Sequence, residues 1–172
     1  SMETIMKYKK NKNYKNYKKQ TQRVRGGLLR SKHGETSEAI FMNSGYVFNS
    51  AEEAEARFAG ELEGYLYSRY GNPTVTIFEE RMALNEEAEA CFATASGMAA
   101  VFVSLMSCLN SGDEVVSSHA LFGSCYYVID KILPRYGIKT HLIDGTDLIQ
   151  WEKCITNKTK CVFLESPSNP TM

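Results

Sequence analysis

The sequence has no long apolar run and no closely paired cysteines. No stretch of its 172 residues approaches the roughly 20 apolar residues that a membrane-spanning helix needs, and no secretory hydrophobic segment opens the chain. The five cysteines are odd in number and form no C-x-x-C pair, which disfavours a zinc site or a disulfide framework. We therefore expect a cytoplasmic protein with reduced thiols and no membrane partner.

Net charge is also absent, because 20 basic and 20 acidic residues cancel. Residues 1–34 nevertheless hold eleven of the Lys and Arg residues and a single acid, Glu3, so the rest of the chain is acidic. Residues 7–22 are Lys, Asn, Tyr and Gln with few large aliphatics, a composition that cannot fold alone. Residues 1–22 are predicted to be a basic, flexible arm that is solvated, crosses to a partner, or docks by charge on an acidic body. Its tyrosines could stack on RNA, but no nucleic-acid motif follows, so nucleic acid is a disfavoured partner.

Two helices are predicted in the first half of the chain. Ser50 and Glu53 have the spacing of a capping box, before a helix that stops near Gly60. Asn72-Pro73 marks the start of a second helix, with proline at the first helical position. One apolar face of this second helix is predicted to consist of Val75, Phe78 and Met82.

Beyond residue 90, strand-like and helix-like segments alternate. Such alternation predicts right-handed crossovers and a mostly parallel sheet with helices on both faces, so the fold class is α/β. The helix at 97–109 is apolar nearly all round and is therefore predicted to be buried. The predicted strands are 91–95, 114–117, 138–143 and 160–165, and the predicted helices are 97–109, 123–136 closed by Gly137, and a short one opened by Asp147.

The most informative stretch is Ala93-Thr94-Ala95-Ser96-Gly97-Met98-Ala99-Ala100, which compresses a strand end, a tight turn and a helix start. A helix N-terminus carries unpaired N–H groups and the positive end of the helix dipole, so it suits a phosphate. Gly97 lets the backbone approach an anion closely, and Ser96 adds a hydroxyl donor. The alternative is a capped helix start that binds nothing.

Three further loops carry chemistry-bearing side chains. Tyr67 and Arg69 lie just before the helix start at Asn72-Pro73, Phe122 follows the strand at 114–117, and Asn169 follows the last strand. A planar guanidinium binds a phosphate dianion in a fork. Without a ligand, Arg69 would be a surface ion-pair residue, Phe122 a core aromatic, and Asn169 a turn residue between prolines.

Together these segments resemble the Cys/Met-metabolism family of pyridoxal-phosphate enzymes, over roughly residues 22–172. Within that family the segments at 25–31, 34–39 and 120–124 are most similar to O-succinylhomoserine sulfhydrylases. The resemblance implies the N-terminal part of a fold-type I large domain, truncated, with pyridoxal 5'-phosphate as cofactor. It also implies a homo-oligomer that acts on a small amino-acid substrate, by γ-replacement in methionine biosynthesis.

The resemblance also assigns roles to particular residues. It implies that Tyr67 and Arg69 reach the cofactor phosphate of a neighbouring subunit, and that Ser96, Gly97 and Met98 cradle the phosphate. Phe122 stands where the family stacks an aromatic ring on the pyridine, and Asn169 where it hydrogen-bonds the phenolic oxygen. The implied organisation is an arm at 1–22, a segment for intersubunit contacts at 23–60, and the first half of the large domain at 61–172.

Three departures from the family pattern affect this expectation. Phe122 lacks the hydroxyl of the usual Tyr. Asn85 and Glu87 replace the usual Leu and Gly, and a positive φ at Glu87, if the turn needs that geometry, costs about 1 kcal/mol. The family's pyridine-facing Asp and its cofactor-linking Lys are expected beyond residue 172. The chain alone is therefore expected to be inactive, at most a phosphate-binding or subunit-pairing module. Cystathionine γ-synthase and methionine γ-lyase activities remain alternatives within the family.

Overall fold

The computed structural model describes residues 9–10, 14 and 16–170. Its contacts divide the chain into two compact units, residues 1–93 and residues 94–172. In the described part, the first unit consists of three helices, a two-stranded antiparallel sheet and long connecting loops. Its elements are β1 (Lys9–Lys10), α1 (Lys19–Arg25), β2 (Leu29–Arg30), α2 (Ala51–Phe58) and α3 (Pro73–Asn85).

The predicted helix starts of the first unit are confirmed. Ser50 caps α2, since its hydroxyl accepts from the N–H of Glu53 at 3.1 Å. The Glu53 carboxylate in turn accepts a hydrogen bond from the N–H of Asn49 at 2.9 Å. In a standard capping box the donor would be the N–H of the cap residue itself, one position later. Asn72 caps α3, and Pro73 occupies its first turn as predicted.

The predicted apolar face of α3 was wrong. Val75 and Phe78 are exposed, whereas Ile77 is buried. The reason lies outside the helix, because the Gly26-Gly27 turn packs closely against α3 at Ile77. An added Cβ at Gly27 would stand 3.3 Å from the carbonyl oxygen of Ile77. The glycine turn thus selects which side of the helix is covered.

Glu87 adopts a left-handed conformation, with φ of 54°, so the turn does need the positive-φ geometry that the family's usual glycine suits. Among the described residues it is the non-glycine residue with positive φ. Its carboxylate contacts the ammonium of Lys19 in α1. Part of the predicted basic arm is thereby tied by charge to the body of its own chain, which was one of the three alternatives for the arm.

The second unit is built on a three-stranded parallel sheet with the strand order β4-β3-β5. This confirms the α/β class and the parallel pairing. All five residues of the central strand are buried, as expected for a strand with neighbours on both sides. The elements are α4 (Gly97–Cys108), β3 (Glu114–Ser118), α5 (Gly123–Tyr127), β4 (Lys139–Ile143), α6 (Leu148–Cys154) and β5 (Thr159–Phe163).

The helix predicted at 123–136 is continuous but changes its pitch. It runs as α5, then as a π-helix over Val128–Ile132, then as a 3-10 helix over Leu133–Tyr136. Gly137 ends it in the left-handed conformation with φ of 76°, as predicted. The short helix opened by Asp147 is also confirmed.

The core of the second unit lies between the sheet and these helices. The helix at 97–109 is buried along one side only, which corrects the expectation of a fully buried helix: Leu105 and Leu109 are in the core, and Val103 is exposed. The buried cluster consists of Leu105, Leu109, Val115, Leu121, Cys125, Val128, Ile129, Leu133 and Ile138.

The strand predicted at 91–95 is not formed. A strand needs a hydrogen-bonded neighbour, and no described strand pairs with this run. Phe92, in its middle, is 79% exposed. The last strand also ends at Phe163, two residues earlier than predicted.

All five cysteines are free thiols, with Cys125 buried and Cys108 exposed. Within the described residues, no helix is long and apolar enough to cross a membrane. The cytoplasmic location stays a prediction.

Candidate functional site

Two of the predicted site loops meet at one edge of the parallel sheet. Since β3 and β5 are parallel neighbours, their carboxyl ends lie on the same side, where such folds place ligands. Phe122 follows β3, and Glu165 follows β5. The N–H of Phe122 donates a hydrogen bond to Oε2 of Glu165 at 2.9 Å, so the two loops touch directly.

The same oxygen of Glu165 also accepts from the N–H of Asn169, at 3.4 Å. Next to it, burial raises the pKa of the Cys125 thiol, and the Glu165 carboxylate raises it further. Glu165 was not among the site residues predicted from the sequence. The available signal was a carboxylate immediately after a strand, in a loop already predicted to face the site.

The start of α4 has the features of an anion site. The Ser96 hydroxyl accepts from the N–H of Ala99 at 3.1 Å and so caps the helix. Within the described residues, no group accepts from the N–H of Gly97 or Met98. Around Gly97 even an added Cβ would meet nothing within 4 Å, so the approach to these two N–H groups is open.

This helix start lies toward the same end of the second unit as the Phe122 loop. The 12 residues of α4 rise about 18 Å, and the five residues of β3 about 17 Å. A tight turn joins the two elements, with the N–H of Asp113 donating to the carbonyl of Asn110 at 3.1 Å. Met98, in the first turn of α4, packs on the core cluster that contains Leu121 and Cys125.

The predicted ring and amide groups are exposed. Phe122 is 42% exposed, whereas its neighbour Leu121 is buried. The alternative of a core aromatic is therefore wrong, and the ring is available for stacking. The side-chain amide of Asn169 is exposed as well, and it makes no hydrogen bond in the part of the chain that the structure describes.

In the first unit, Arg69 lies in a turn with two tyrosines. Its guanidinium carbon stands 4.9 Å from the ring centre of Tyr67 and 5.1 Å from that of Tyr70, which are cation–π distances. No carboxylate of the described residues pairs with it, so the surface ion-pair alternative is not what the structure shows. Its forked donors remain open to an anion.

Ser68 fixes this turn. Its N–H donates to the carbonyl of Ser44 at 2.9 Å, and its hydroxyl donates to the carbonyl of Asn43. The side-chain amide of Asn72 donates to the same hydroxyl at 3.0 Å. Sequence reasoning missed this role, because it depends on a loop more than 20 residues away.

The donor set fits a phosphorylated aromatic cofactor. Two unpartnered N–H groups at Gly97 and Met98 suit a phosphate, and the exposed ring of Phe122 beside the Asn169 loop suits a planar heterocycle. When bound, pyridoxal 5'-phosphate supplies an electron sink for reactions at an amino-acid substrate.

Comparison with known proteins agrees with this chemistry. The family described as "Cys/Met metabolism PLP-dependent enzyme" matches residues 20–172. The chain is 58% identical over 147 residues to an O-succinylhomoserine sulfhydrylase of Mycobacterium tuberculosis (strain H37Rv), covering 86% of this chain and 36% of the relative. It is 50% identical, with the same coverage, to an O-succinylhomoserine sulfhydrylase of Pseudomonas aeruginosa. An L-methionine gamma-lyase of Treponema denticola is 37% identical, with 88% and 38% covered.

Solved structures share the fold. A structure described as an O-acetylhomoserine (thiol)-lyase from Campylobacter jejuni matches with a TM-score of 0.85 and 35% identity, covering 90% of this chain and 38% of that one. It carries N'-pyridoxyl-lysine-5'-monophosphate. A cystathionine gamma-lyase from Lactobacillus plantarum, complexed with L-serine, matches with a TM-score of 0.76 and 32% identity, at 90% and 38% coverage. The chain thus spans between 36% and 38% of the length of these proteins.

Proposed function

This chain belongs to the Cys/Met-metabolism family of pyridoxal-phosphate-dependent enzymes, and we propose that it forms the cofactor-phosphate-holding part of an O-succinylhomoserine sulfhydrylase. The proposed reaction replaces the succinate of O-succinylhomoserine by a sulfur nucleophile, with homocysteine as the product when sulfide is the donor. Identities of 58% and 50% to two relatives of that name support this choice of substrate. The observation that carries the proposal is the open pair of N–H groups at the start of α4.

Each proposed role in the second unit follows from a group described above. Gly97 and Met98 would hold the phosphate through their N–H groups, with Ser96 capping the helix that aims them. Phe122 would cover one face of the cofactor ring, and the side-chain amide of Asn169 would hydrogen-bond the phenolic oxygen. Phe122 has no hydroxyl, so it can neither give nor take a proton, and another group or the substrate amine must do so.

Tyr67 and Arg69 are proposed to act on the phosphate of a neighbouring subunit in a homo-oligomer. The Arg69 guanidinium pairs with no carboxylate of the described residues, which supports this role, because a phosphate dianion is the partner that its fork suits best. Residues 23–60 are proposed to make intersubunit contacts. In agreement, the exposed fractions of Ile40, Met42 and Val47 range from 75% to 94%.

A second candidate activity is that of a methionine γ-lyase, which relatives of that name at 37% identity favour. The two activities differ in what they do with sulfur. A sulfhydrylase forms the Cγ–S bond of its product, whereas a lyase breaks the Cγ–S bond of methionine.

The deciding experiment measures homocysteine formation from O-succinylhomoserine and sulfide, and methanethiol release from methionine. Both assays are run with pyridoxal phosphate on the 172-residue chain, alone and together with the remaining C-terminal portion of the Pseudomonas aeruginosa relative. We expect homocysteine formation in the mixture and none with the chain alone. Methanethiol release without homocysteine would favour the lyase, and neither product in the mixture would contradict both activities.

Removal of the free guanidinium tests the proposed phosphate contact. Arg69→Ala should weaken cofactor retention in the complemented enzyme by about 1.5–3 kcal/mol, the range for hydrogen bonds to charged groups. Arg69→Lys should retain more cofactor than Arg69→Ala but less than the parent enzyme, because an ammonium keeps the charge but lacks the forked donors. Retention is measured as the pyridoxal phosphate remaining after dialysis.

The control for this change is Arg135→Ala, which removes an exposed guanidinium from the second unit and should leave retention unchanged. Equal losses in Arg69→Ala and Arg135→Ala would contradict a specific phosphate contact. Mixed oligomers should recover activity if Arg69 acts across subunits. One subunit pairs the Arg69→Ala chain with an intact C-terminal portion, and the other pairs the parent chain with a C-terminal portion that lacks the cofactor-linking lysine.

A further inference from the structure

We propose that Glu165 is a positioning residue, which ties the Phe122 loop to the Asn169 loop and so sets the spacing of the two groups that would contact the cofactor ring. This inference rests on the proposed function, because the cofactor ring is the ligand for which the spacing matters. It assigns no role in proton transfer to Glu165.

One oxygen atom holds both loops. Oε2 of Glu165 accepts from the N–H of Phe122 at 2.9 Å and from the N–H of Asn169 at 3.4 Å. The first of these bonds spans 43 residues of sequence and the second spans four. Because both converge on a single atom, displacement of either loop breaks a bond to the carboxylate.

The two functional groups lie outside the buried core. Phe122 is 42% exposed, and Asn169 is exposed too. Their positions therefore depend strongly on the backbone to which they are attached. Glu165 holds that backbone in both loops.

The charge of Glu165 also suits a tether. Within the described residues no Lys, Arg or His pairs with its carboxylate. The hydrogen bonds that the structure gives it come from the two backbone N–H groups, and its charge raises the pKa of the buried Cys125 thiol. Hydrogen bonds to a charged acceptor are stronger than neutral ones, which suits a residue that must hold two exposed loops.

The test compares Glu165→Ala, which removes the acceptor, with Glu165→Gln, which keeps one oxygen. The control is Glu152→Ala, an exposed carboxylate in α6 of the same unit. Two properties of the 172-residue chain are measured: hydrogen exchange at the amides of Phe122 and Asn169, and the dissociation constants for inorganic phosphate and for pyridoxal 5'-phosphate.

We expect Glu165→Ala to speed exchange at both amides and to weaken pyridoxal phosphate binding by about 5- to 10-fold, the effect of one lost hydrogen bond. Inorganic phosphate binding should be unchanged, because Glu165 makes no contact with Gly97 or Met98 in the described structure. The dissociation constant of Glu165→Gln for pyridoxal phosphate should remain within about 3-fold of that of the parent chain. Glu152→Ala should match the parent chain.

Three outcomes would overturn the proposal. Exchange rates unchanged in Glu165→Ala would show that no tether exists. Equal loss of phosphate and pyridoxal phosphate binding would show a general structural role. Faster exchange with unchanged pyridoxal phosphate binding would show a tether without a positioning role. If the parent chain binds neither ligand, the proposed function fails, and the exchange rates still decide whether Glu165 ties the loops.

Discussion

The two units of the chain hold themselves together in different ways. In the first unit, α1 and α2 bury no side chain and α3 buries only Pro73 and Ile77. Long-range polar contacts join its segments instead, such as the ion pair between Arg81 and Glu38 at 2.8 Å. In the second unit, every residue of β3 is buried and a continuous apolar cluster lies against it. The second unit thus has an extensive apolar core, whereas the buried apolar residues in the described part of the first unit are few, namely Tyr14, Leu28, Leu29 and Ile77.

This contrast bears on the proposed function, because residues with proposed cofactor contacts lie in both units. The second unit presents the α4 start and the loops of Phe122 and Asn169 on a framework with a packed core. The first unit presents Arg69 on a turn that is fixed by the hydroxyl of Ser68. We therefore expect the second unit to keep its geometry more independently than the first.

The largest expected effect comes from truncating matched isoleucines in the two units. Ile129→Ala should lower the free energy of unfolding of the second unit by about 2–5 kcal/mol, because this fully buried side chain lies in the core cluster. Ile77→Ala should change the same transition by less than about 0.5 kcal/mol, since Ile77 belongs to the other unit. Urea unfolding followed by the fluorescence of Trp151, in α6 of the second unit, measures both. Equal shifts would show that the units unfold as one.

A smaller effect of opposite sign is expected at Glu87. Glu87→Gly should raise the free energy of unfolding of the first unit by about 1 kcal/mol, because glycine adopts a φ of 54° without strain. Loss of the contact with Lys19 should subtract little, since both side chains are exposed. The neighbouring Glu86→Gly is the control: at its φ of −90° glycine gains nothing and should destabilise. Urea unfolding followed by far-UV circular dichroism compares them, and destabilisation in both would contradict the strain.

The smallest effect is a pH dependence of the second unit. Burial by itself raises the pKa of Glu114, but the hydrogen bond from His141 and the charge of Lys139 lower it more, so the net pKa lies below its usual value of 4.5. A carboxyl whose pKa is lowered by folding stabilises the fold above its unfolded pKa, and this contribution is lost as pH falls through the folded value.

Glu114→Gln should therefore flatten the loss of stability below pH 4.5, measured as the urea midpoint at a series of pH values. The exposed Glu152→Gln serves as the reference and should retain the parent slope. If the urea midpoint of Glu114→Gln falls with pH as steeply as that of the parent chain, the contacts of Glu114 with His141 and Lys139 do not couple to folding.

Features that depend on neighbouring residues were predictable from the sequence. Ser50, Asn72 and Asp147 cap helices as predicted, because a cap is a bond across two or three residues. Gly137 has the expected left-handed backbone for the same local reason, whereas the left-handed backbone of Glu87 was indicated by the family's usual glycine. The alternation of elements in the second unit likewise sufficed to predict the parallel sheet.

Features that depend on distant partners were not predictable. The run at 91–95 has the composition of a strand, but no described strand pairs with it. The covered face of α3 is chosen by the Gly26-Gly27 turn, which composition alone does not place. In the candidate site, the motifs sufficed to predict which loops carry the functional groups. The contacts of Ser68 and Glu165 were not predictable, because they span 24 and 43 residues of sequence.

The π-helical segment Val128–Ile132 also bears on which single-residue deletions the gene could tolerate. A π-turn contains about one residue more than an α-turn, so deletion of the exposed Lys131 would let the segment close as ordinary α-helix, with Ile129 and Leu133 still facing the core. The same deletion in α4, at Ser104, would rotate everything after it by about 100° and carry Leu105 away from the core. Length variation in this unit should therefore concentrate at the π-turn.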